Sequence, residues 1–343
     1  MDPIRFGIIG CGQVGQWLDG GDYNGVAWWQ ANAIKNMPEV AITACSSRTE
    51  ANREAFAKEY DAKPFADYHE LLAWDGVDAV SICTPSGTHA DIAIDAAKAG
   101  KHVLTEKPID VRLDKADAMI AACRDAGVKL QVVFPRRLAP GIPAAKKALD
   151  EGAIGTLVLA AARCQRWRKQ DYFADSSWRG TWWGDGGGAM MNQGIHIIDL
   201  LVHLMGDVDS VTAKCDTMGH DIEVEDVAVV LLKFKNGAYG TIYATTCAYP
   251  DLHDGLEING MTGTFRFGSG VTPDKMWQTE GLTPGLGEEP KYKGHAAVFC
   301  DLVEAIREDR PVSIPGEEGR KGLEVILAAY ESSQSGKEVS LPM

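Results

Sequence analysis

Short apolar runs alternate with amphipathic stretches over the first 134 residues. Strand-like runs fall at 4–9, 40–46, 78–83, 101–105 and 129–134, and helix-like segments at 50–60, 88–99 and 114–126 separate them. This β-α-β alternation predicts a doubly wound parallel sheet. Past Pro135-Arg136-Arg137 the pattern changes. A helix over 141–151 and a strand over 156–165 are followed by strands near 208–215, 226–235, 238–246, 256–260 and 263–267. Turns such as Lys235-Asn236-Gly237 and Asn259-Gly260-Met261-Thr262-Gly263 join them, so an antiparallel sheet is expected. Helices near 295–308 and 319–334 close the chain. The expected architecture is α/β plus α+β, with a dinucleotide-binding domain over 1–134 and a substrate and oligomerisation domain over 135–343. The closing helices are candidates to pack back on the first domain.

Between the strands at 156–165 and 208–215, Gly186-Gly187-Gly188 leads into a helix that runs through His203. At about 100° per residue, Asn192, His196, Asp199 and His203 fall on one stripe. The positions around them (Met190, Met191, Ile195, Ile197, Ile198, Leu200, Leu201, Val202, Leu204) are apolar. A helix apolar on nearly every side is buried, and polar groups carried into the interior must be paired or serve a ligand. A metal site is one candidate. However, His196 and His203 lie about 10.5 Å apart along the helix axis, too far to share one ion, so no metal is expected. Asp199 and His203 read as structural, with Asp199 placed to orient His196. The triple glycine lets backbone pass close to a ligand.

The first strand runs directly into Gly10-Cys11-Gly12-Gln13-Val14-Gly15, a G-x-G-x-x-G turn suited to a dinucleotide pyrophosphate. The second strand ends at Ser47-Arg48, with no carboxylate for a ribose hydroxyl and one guanidinium for a 2′-phosphate. NADP is therefore expected over NAD. Thr84, Pro85 and His89 follow the strand ending at Cys83, where such sheets bind ligands. His89 starts the next helix, and a structural role is expected for it ahead of a catalytic one. Glu106 and Lys107 sit at the carboxyl end of a central strand that Pro108 stops, so both join the expected cofactor contacts. Residues 18–29 interrupt the first crossover helix with three glycines and read as an inserted loop near the cofactor, with helix resuming at about Val26; a surface loop packed down by its two tryptophans and a role in shaping the substrate pocket are both open. The aromatic and basic run from Arg166 to Trp183 reads as the lining of a sugar pocket, with Arg168 and Trp183 as substrate contacts; simple core packing is the alternative.

Composition narrows the partners. A net charge of −14 with no basic stripe excludes a nucleic-acid phosphate backbone. No apolar run approaches the roughly 18 residues of a membrane span, and the N-terminus lacks a signal-peptide pattern. Eight cysteines without a Cys-x-x-Cys pair read as reduced thiols of a cytoplasmic protein, not as a zinc site. Along Ala238–Thr246, Tyr and Ile alternate with small residues, so the outer face of the second sheet is a candidate dimer interface.

The glycine turn, Glu106-Lys107-Pro108 and Gly186-Gly187-Gly188…Asn192…Gly194…His196…Asp199, in this order, make the chain resemble the Gfo/Idh/MocA family, the glucose–fructose oxidoreductase and inositol dehydrogenase group. The resemblance covers nearly the whole chain. It implies an N-terminal Rossmann domain, a C-terminal open-faced sheet domain, and homodimers or homotetramers built through that sheet. It also implies NAD(P)-dependent oxidation or reduction at a hydroxyl or keto carbon of a small carbohydrate, a sugar derivative or a cyclitol. Lys107 matches the family's catalytic lysine and His196 its catalytic histidine, while Asn192 stands where many members have aspartate. Trp178-Arg179 resembles a pair that contacts cofactor in a related member, and Pro135 stands where an asparagine often lies near the nicotinamide.

On this reading His196 is the general acid/base, because imidazole titrates in the right range. Lys107 stabilises charge on the reacting oxygen. Asn192 orients the sugar and cannot be the base. Two other function classes compete: an NAD-dependent glycosidase working through transient oxidation and elimination, and a non-catalytic nucleotide-binding sensor. A sensor would not need both Lys107 and His196.

Overall fold

The computed structural model describes residues 2–343 except 13, 14, 17–21, 24, 175, 176, 273, 274, 281 and 282. Gln13, Val14 and residues 18–21 and 24 of the interrupted crossover therefore lie outside the described residues. By contacts the chain forms two compact units, Met1–Pro135 with Lys291–Glu317, and Arg136–Pro290 with Glu318–Met343.

Unit 1 begins with β1 (Ile4–Ile9) and a small antiparallel pair, β2 (Gly15–Gln16) with β3 (Asp22–Tyr23). Then come α1 (Val26–Ile34), β4 (Val40–Ser46), α2 (Glu50–Tyr60), β5 (Lys63–Phe65), α3 (Tyr68–Ala73), β6 (Ala79–Ile82), α4 (His89–Lys98), β7 (His102–Thr105), α5 (Leu113–Asp125) and β8 (Leu130–Val132). The strands form one parallel sheet in the order β5-β4-β1-β6-β7-β8. All four residues of β6 are buried, as expected of a strand covered on both faces. The alternation of apolar runs marks this sheet correctly except for the short β5 and α3.

Helix resumes at Val26, as expected, so Trp28 and Trp29 belong to α1. Trp28 packs on Phe56 and Tyr60 of α2, with ring centroids 5.2 and 5.6 Å away, whereas Trp29 is exposed.

Unit 2 contains α6 (Ile142–Asp150), β9 (Leu157–Gln165), α7 (Asp171–Ala174), α8 (Ile195–Met205), β10 (Val208–Asp216), β11 (Val227–Phe234), β12 (Tyr239–Thr245), β13 (His253–Gly260), β14 (Gly263–Gly268) and β15 (Trp277–Thr279). After them α9 (His295–Arg307) lies in unit 1, and α10 (Gly316–Ser335) leads to β16 (Val339–Ser340). The sheet order is β15-β14-β13-β9-β12-β11-β10-β16. It is mostly antiparallel, but β9 pairs parallel with β12, a correction to the expected pattern. β9 precedes the hairpin strands in sequence and lies between β12 and β13. The strict alternation of β11 and β12 buries one face and exposes the other.

A second correction concerns the glycine-led helix. It is not one α-helix: Ala189–Gly194 is π-helical, and α8 begins only at Ile195. Nine of the eleven residues of α8 are buried, Asp199 among them.

Candidate active site

Several segments end at the carboxyl edge of the parallel sheet in unit 1. β1 runs into Gly10-Cys11-Gly12. Gly10 holds φ at +95°, and a Cβ there would lie 2.8 Å from the Cys83 backbone and the Thr84 methyl; only glycine fits. The Gly10 and Cys11 N–H groups donate to the Ser46 carbonyl at 2.9 and 3.3 Å, fastening the loop to the end of β4. At Gly12 the nearest atom to an added Cβ is the Gly10 oxygen, 3.9 Å away, so this backbone is open to a phosphate.

After β4, Ser47 is half-buried and Arg48 exposed. Arg53 of α2 donates Nη1 to the Ser47 carbonyl at 2.9 Å. It adds a second guanidinium at this point, on the first turn of the helix that follows. After β6, Thr88 Oγ1 lies 2.8 Å from Thr84 Oγ1 and 2.7 Å from the Pro85 carbonyl. The buried His89 ring places Nδ1 2.8 Å from the Pro108 carbonyl and Nε2 2.9 Å from the Thr84 carbonyl. His89, expected among the cofactor contacts as well as structurally, thus spends both ring nitrogens on backbone. It ties the loop after β6 to the one after β7.

The β7 strand delivers Glu106 and Lys107. Glu106 is 5% exposed. Its Oε1 accepts from Gln30 Nε2 at 2.7 Å and lies 3.8 Å from His295 Nε2. Oε2 lies 3.1 Å from the Lys107 N–H. Gln30 Oε1 accepts in turn from Ser81 Oγ. Burial, then the nearby Glu106 charge, pushes the Cys83 thiol well up. Gln30 is not among the residues singled out by motif. The available signal is position: it lies with Ala27, Ala31 and Ile34 on the buried face of α1, where an amide needs a partner. Lys107 itself is half-buried.

In unit 2 the entry to α8 is held by Glu225. Its carboxylate accepts from Gly188 N at 2.7 Å, Met190 N at 2.8 Å and Tyr330 Oη at 2.9 Å, which satisfies N–H groups that a helix start leaves open. Burial pushes the Glu225 carboxyl up to about 7. A Cβ on Gly188 would run into the Glu225 carbonyl, and one on Gly187 into the Tyr330 hydroxyl. Gly187 and Gly188 are thus required by protein groups, in addition to the close passage of backbone expected of the triple glycine.

The π-helical segment leads directly into α8, and Asn192, Gln193 and His196 are half-buried among buried neighbours. Asn192 Nδ2 donates to Asp185 Oδ1 at 2.5 Å, and Gln193 Nε2 donates to Asn192 Oδ1 at 2.8 Å. Arg168 Nη2 donates to Gln193 Oε1 at 2.9 Å. Arg168 and Arg179 both lie over the Tyr172 ring, 5.4 and 4.5 Å from its centroid, and Arg179 also lies 5.5 Å from the Trp178 ring. Trp183 is exposed. Arg166 and Arg168 pair with Asp251, and Arg166 with Asp254.

Lower on α8, Arg137 grips Asp199 through Nε at 2.9 Å and Nη2 at 2.7 Å. Its Nη1 reaches His203 Nδ1 at 3.1 Å and Glu318 Oε2 at 2.8 Å. Both Asp199 and His203 thus have the structural role expected of them, through an arginine that no motif marked.

Among the described residues, His220, Asp226 and Cys247 bring one possible ligand atom each within 4.8 Å. The donor set argues for a loop clamp. Asp226 Oδ2 already accepts from Gly219 N, His220 N and His220 Nδ1, at 2.8, 2.9 and 2.9 Å. His220 Nε2 lies 2.9 Å from the Arg168 carbonyl.

A parallel sheet whose glycine turn opens at the carboxyl edge, beside a strand-end lysine, defines a dinucleotide-binding oxidoreductase. Comparison places it further. A model of the oxidoreductase family with NAD-binding Rossmann fold matches residues 4–134, and a model of the GFO/IDH/MocA C-terminal domain matches residues 142–266. The structure is similar to the WlbA dehydrogenase from Bordetella pertussis, solved in complex with NADH and UDP-GlcNAcA: TM-score 0.87, 32% identity, 99% of each chain covered. Myo-inositol 2-dehydrogenase of Thermotoga maritima is 27% identical over 98% of this chain and 98% of its own length. Levoglucosan dehydrogenase of Pseudarthrobacter phenanthrenivorans is 30% identical over 73% of this chain and 72% of its own. The chain belongs to the GFO/IDH/MocA family, as its motifs implied. Among the described residues no helix is long and apolar enough to cross a membrane.

The Arg137 contact makes a pH prediction. Nη1 donates to His203 Nδ1, which must keep its lone pair, so the folded state holds this ring neutral. Burial first, then the Arg137 charge, pushes His203 down to about 4, whereas an unfolded chain protonates it below about 6.5. Its contribution is therefore complete above pH about 6.5 and is lost as pH falls toward the folded value, by up to about 3 kcal/mol. His203→Gln keeps an acceptor for Arg137 and should flatten the fall of Tm between about pH 6.5 and 4. Equal slopes in the two proteins would refute this account.

Proposed function

We propose that the protein transfers hydride between a nicotinamide cofactor and a hydroxyl- or keto-bearing carbon of a sugar, sugar derivative or cyclitol. His196 is the general acid/base, Lys107 stabilises charge on the reacting oxygen, and Asn192 orients the substrate. The observation that carries this reading is that Asn192 and His196 are half-buried where the π-helical turn meets α8, whose other half-buried residue, His203, already meets Arg137. The relatives that act on inositol and levoglucosan support the substrate class.

The residues of unit 1 fit a dinucleotide. Gly10 occupies a cradle that a Cβ would fill, and the backbone at Gly12 is open. Gly10, Cys11 and Gly12 hold the pyrophosphate, Ser47 and Arg48 the adenosine ribose, and Thr84 and Pro85 border the same edge. The bound nicotinamide supplies the hydride donor or acceptor. In oxidation, His196 Nε2 or Nδ1 takes the hydroxyl proton while the Lys107 ammonium hydrogen-bonds the same oxygen; in reduction the proton returns from His196. Ser47 and Arg48, with Arg53 at hand, favour NADP over NAD.

The outer face of the second sheet supports association through it. Leu159, Val229, Leu231, Tyr239 and Tyr243 are exposed there. They lie on adjacent strands, with Val229 opposite Tyr243 and Tyr239 opposite Leu159. A contiguous apolar face of this kind suits a self-complementary interface.

Lys107→Ala and His196→Ala should each lower turnover at least ~100-fold while NAD(P)H binding, read by fluorescence titration, stays near wild type. Full activity in either variant would overturn the assignment. The substrate for these assays comes from a panel of free sugars, cyclitols, glycosides and nucleotide sugars screened by NAD(P)H absorbance with both cofactors. Arg48→Asp should shift relative affinity toward NAD, and an unchanged NADP-to-NAD ratio would rule out the preference proposed. Leu231→Glu should convert a dimer or tetramer to a smaller species by light scattering after gel filtration; an unchanged mass counts against the sheet interface.

A further inference from the structure

We infer that Asp185 is a positioning residue for Asn192: its buried carboxylate sets the direction of the Asn192 amide, and the two form a matched carboxylate–amide pair. The inference rests on the reading of Asn192 as a substrate-orienting group.

Asp185 is 2% exposed and lies in the turn just before the triple glycine. Its Oδ2 accepts from the Gly180 N–H at 2.7 Å, and its Oδ1 accepts from Asn192 Nδ2. An ionised carboxylate only accepts, and an amide has one accepting and one donating end. The direction of the chain then follows from its two ends. The Arg168 guanidinium can only donate, so the Gln193 oxygen must face it. Gln193 Nε2 then faces Asn192 Oδ1, and Asn192 Nδ2 is left facing outward along the chain. What lies beyond must accept from both Asn192 and the Gly180 N–H, and a carboxylate does so. This arrangement gives each of these donors an acceptor.

Each single exchange breaks this order in a defined way. Asn192→Asp puts two carboxylates face to face, so one must retain a proton to remain in place. Asp185→Asn brings an NH2 group against either the Gly180 N–H or the Asn192 NH2. Both changes together restore the pattern: the new amide at 185 accepts from Gly180 N and donates forward, and the new carboxylate at 192 accepts from it and from Gln193.

The test is a double-mutant cycle with Asp185→Asn, Asn192→Asp and the double variant, on the full-length protein. Tm is measured without ligands, and kcat and KM with the best substrate of the panel. Each single variant should lower kcat/KM by ~10–100-fold, an interaction energy of the size found for coupled buried pairs. The double should recover to within about tenfold of wild type. The loss in Asn192→Asp should deepen as pH rises from about 5 to 8, because the shared proton is lost, and the double should show no such dependence. Strictly additive effects on both Tm and kcat/KM would overturn the pair, as would a pH-independent loss in Asn192→Asp. Asn192→Ala separates the two claims. Wild-type kcat and KM in that variant would sink the substrate-orienting reading and the positioning role with it, whereas the ligand-free Tm cycle tests the pair without any turnover.

Discussion

Unit 2 depends on the burial of α8. Nine of its eleven residues are inside, and one of them is an aspartate. An isolated buried carboxylate is not tolerated. Arg137, itself almost wholly buried, meets it with a bidentate fork and uses its remaining donors on His203 and Glu318. Pairs of this kind add little net stability over a well-packed apolar alternative, but removing one partner costs about 3–5 kcal/mol. The consequence is geometric. With its lower half locked by Arg137, α8 cannot rotate to relieve strain at its upper end, so the position of His196 in its first turn is set from below.

The upper end is set from the other side. Glu225 gathers the N–H groups of Gly188 and Met190, and the glycines bring that backbone against the Glu225 carbonyl and the Tyr330 hydroxyl with no room for a side chain. Between these two anchors the chain is π-helical, the form in which a helix takes up an extra residue and which is often found at functional sites. Asn192 sits in that widened turn, and its amide is drawn into the line from Arg168 through Gln193 to Asp185. The polar groups near the candidate catalytic histidine are therefore ordered by a continuous set of donors facing acceptors, not by isolated contacts.

Unit 1 solves a similar problem with a different element. Glu106 is buried at the carboxyl end of β7, and Gln30 from α1 reaches it while also accepting from Ser81. The other carboxylate oxygen lies against the backbone N–H of Lys107. The His89 ring binds the loops after β6 and β7 together. The strand-end lysine thus stands on backbone held from both flanks, the condition for presenting an ammonium group at a reproducible position.

The sequence by itself determined the parallel sheet, the glycine turn at its edge and the second sheet, which are written in local periodicity and spacing, and its motifs marked Lys107, Asn192 and His196 as candidates through the family resemblance. It also placed Asp199 and His203 in a structural role, because polar residues on a sealed helix require partners. It could not name those partners. Arg137 meets Asp199, Gln30 meets Glu106, and Asp185 meets Asn192 only once the chain is folded, and no period or motif links them. The π-helical turn and the parallel pairing of β9 with β12 are likewise products of tertiary packing: Glu225 claims the N–H groups at the helix start, and β9 is held between two strands that come much later in the chain. Local pattern chooses the elements, and the demand that every buried polar group find a partner decides how the candidate side chains are held.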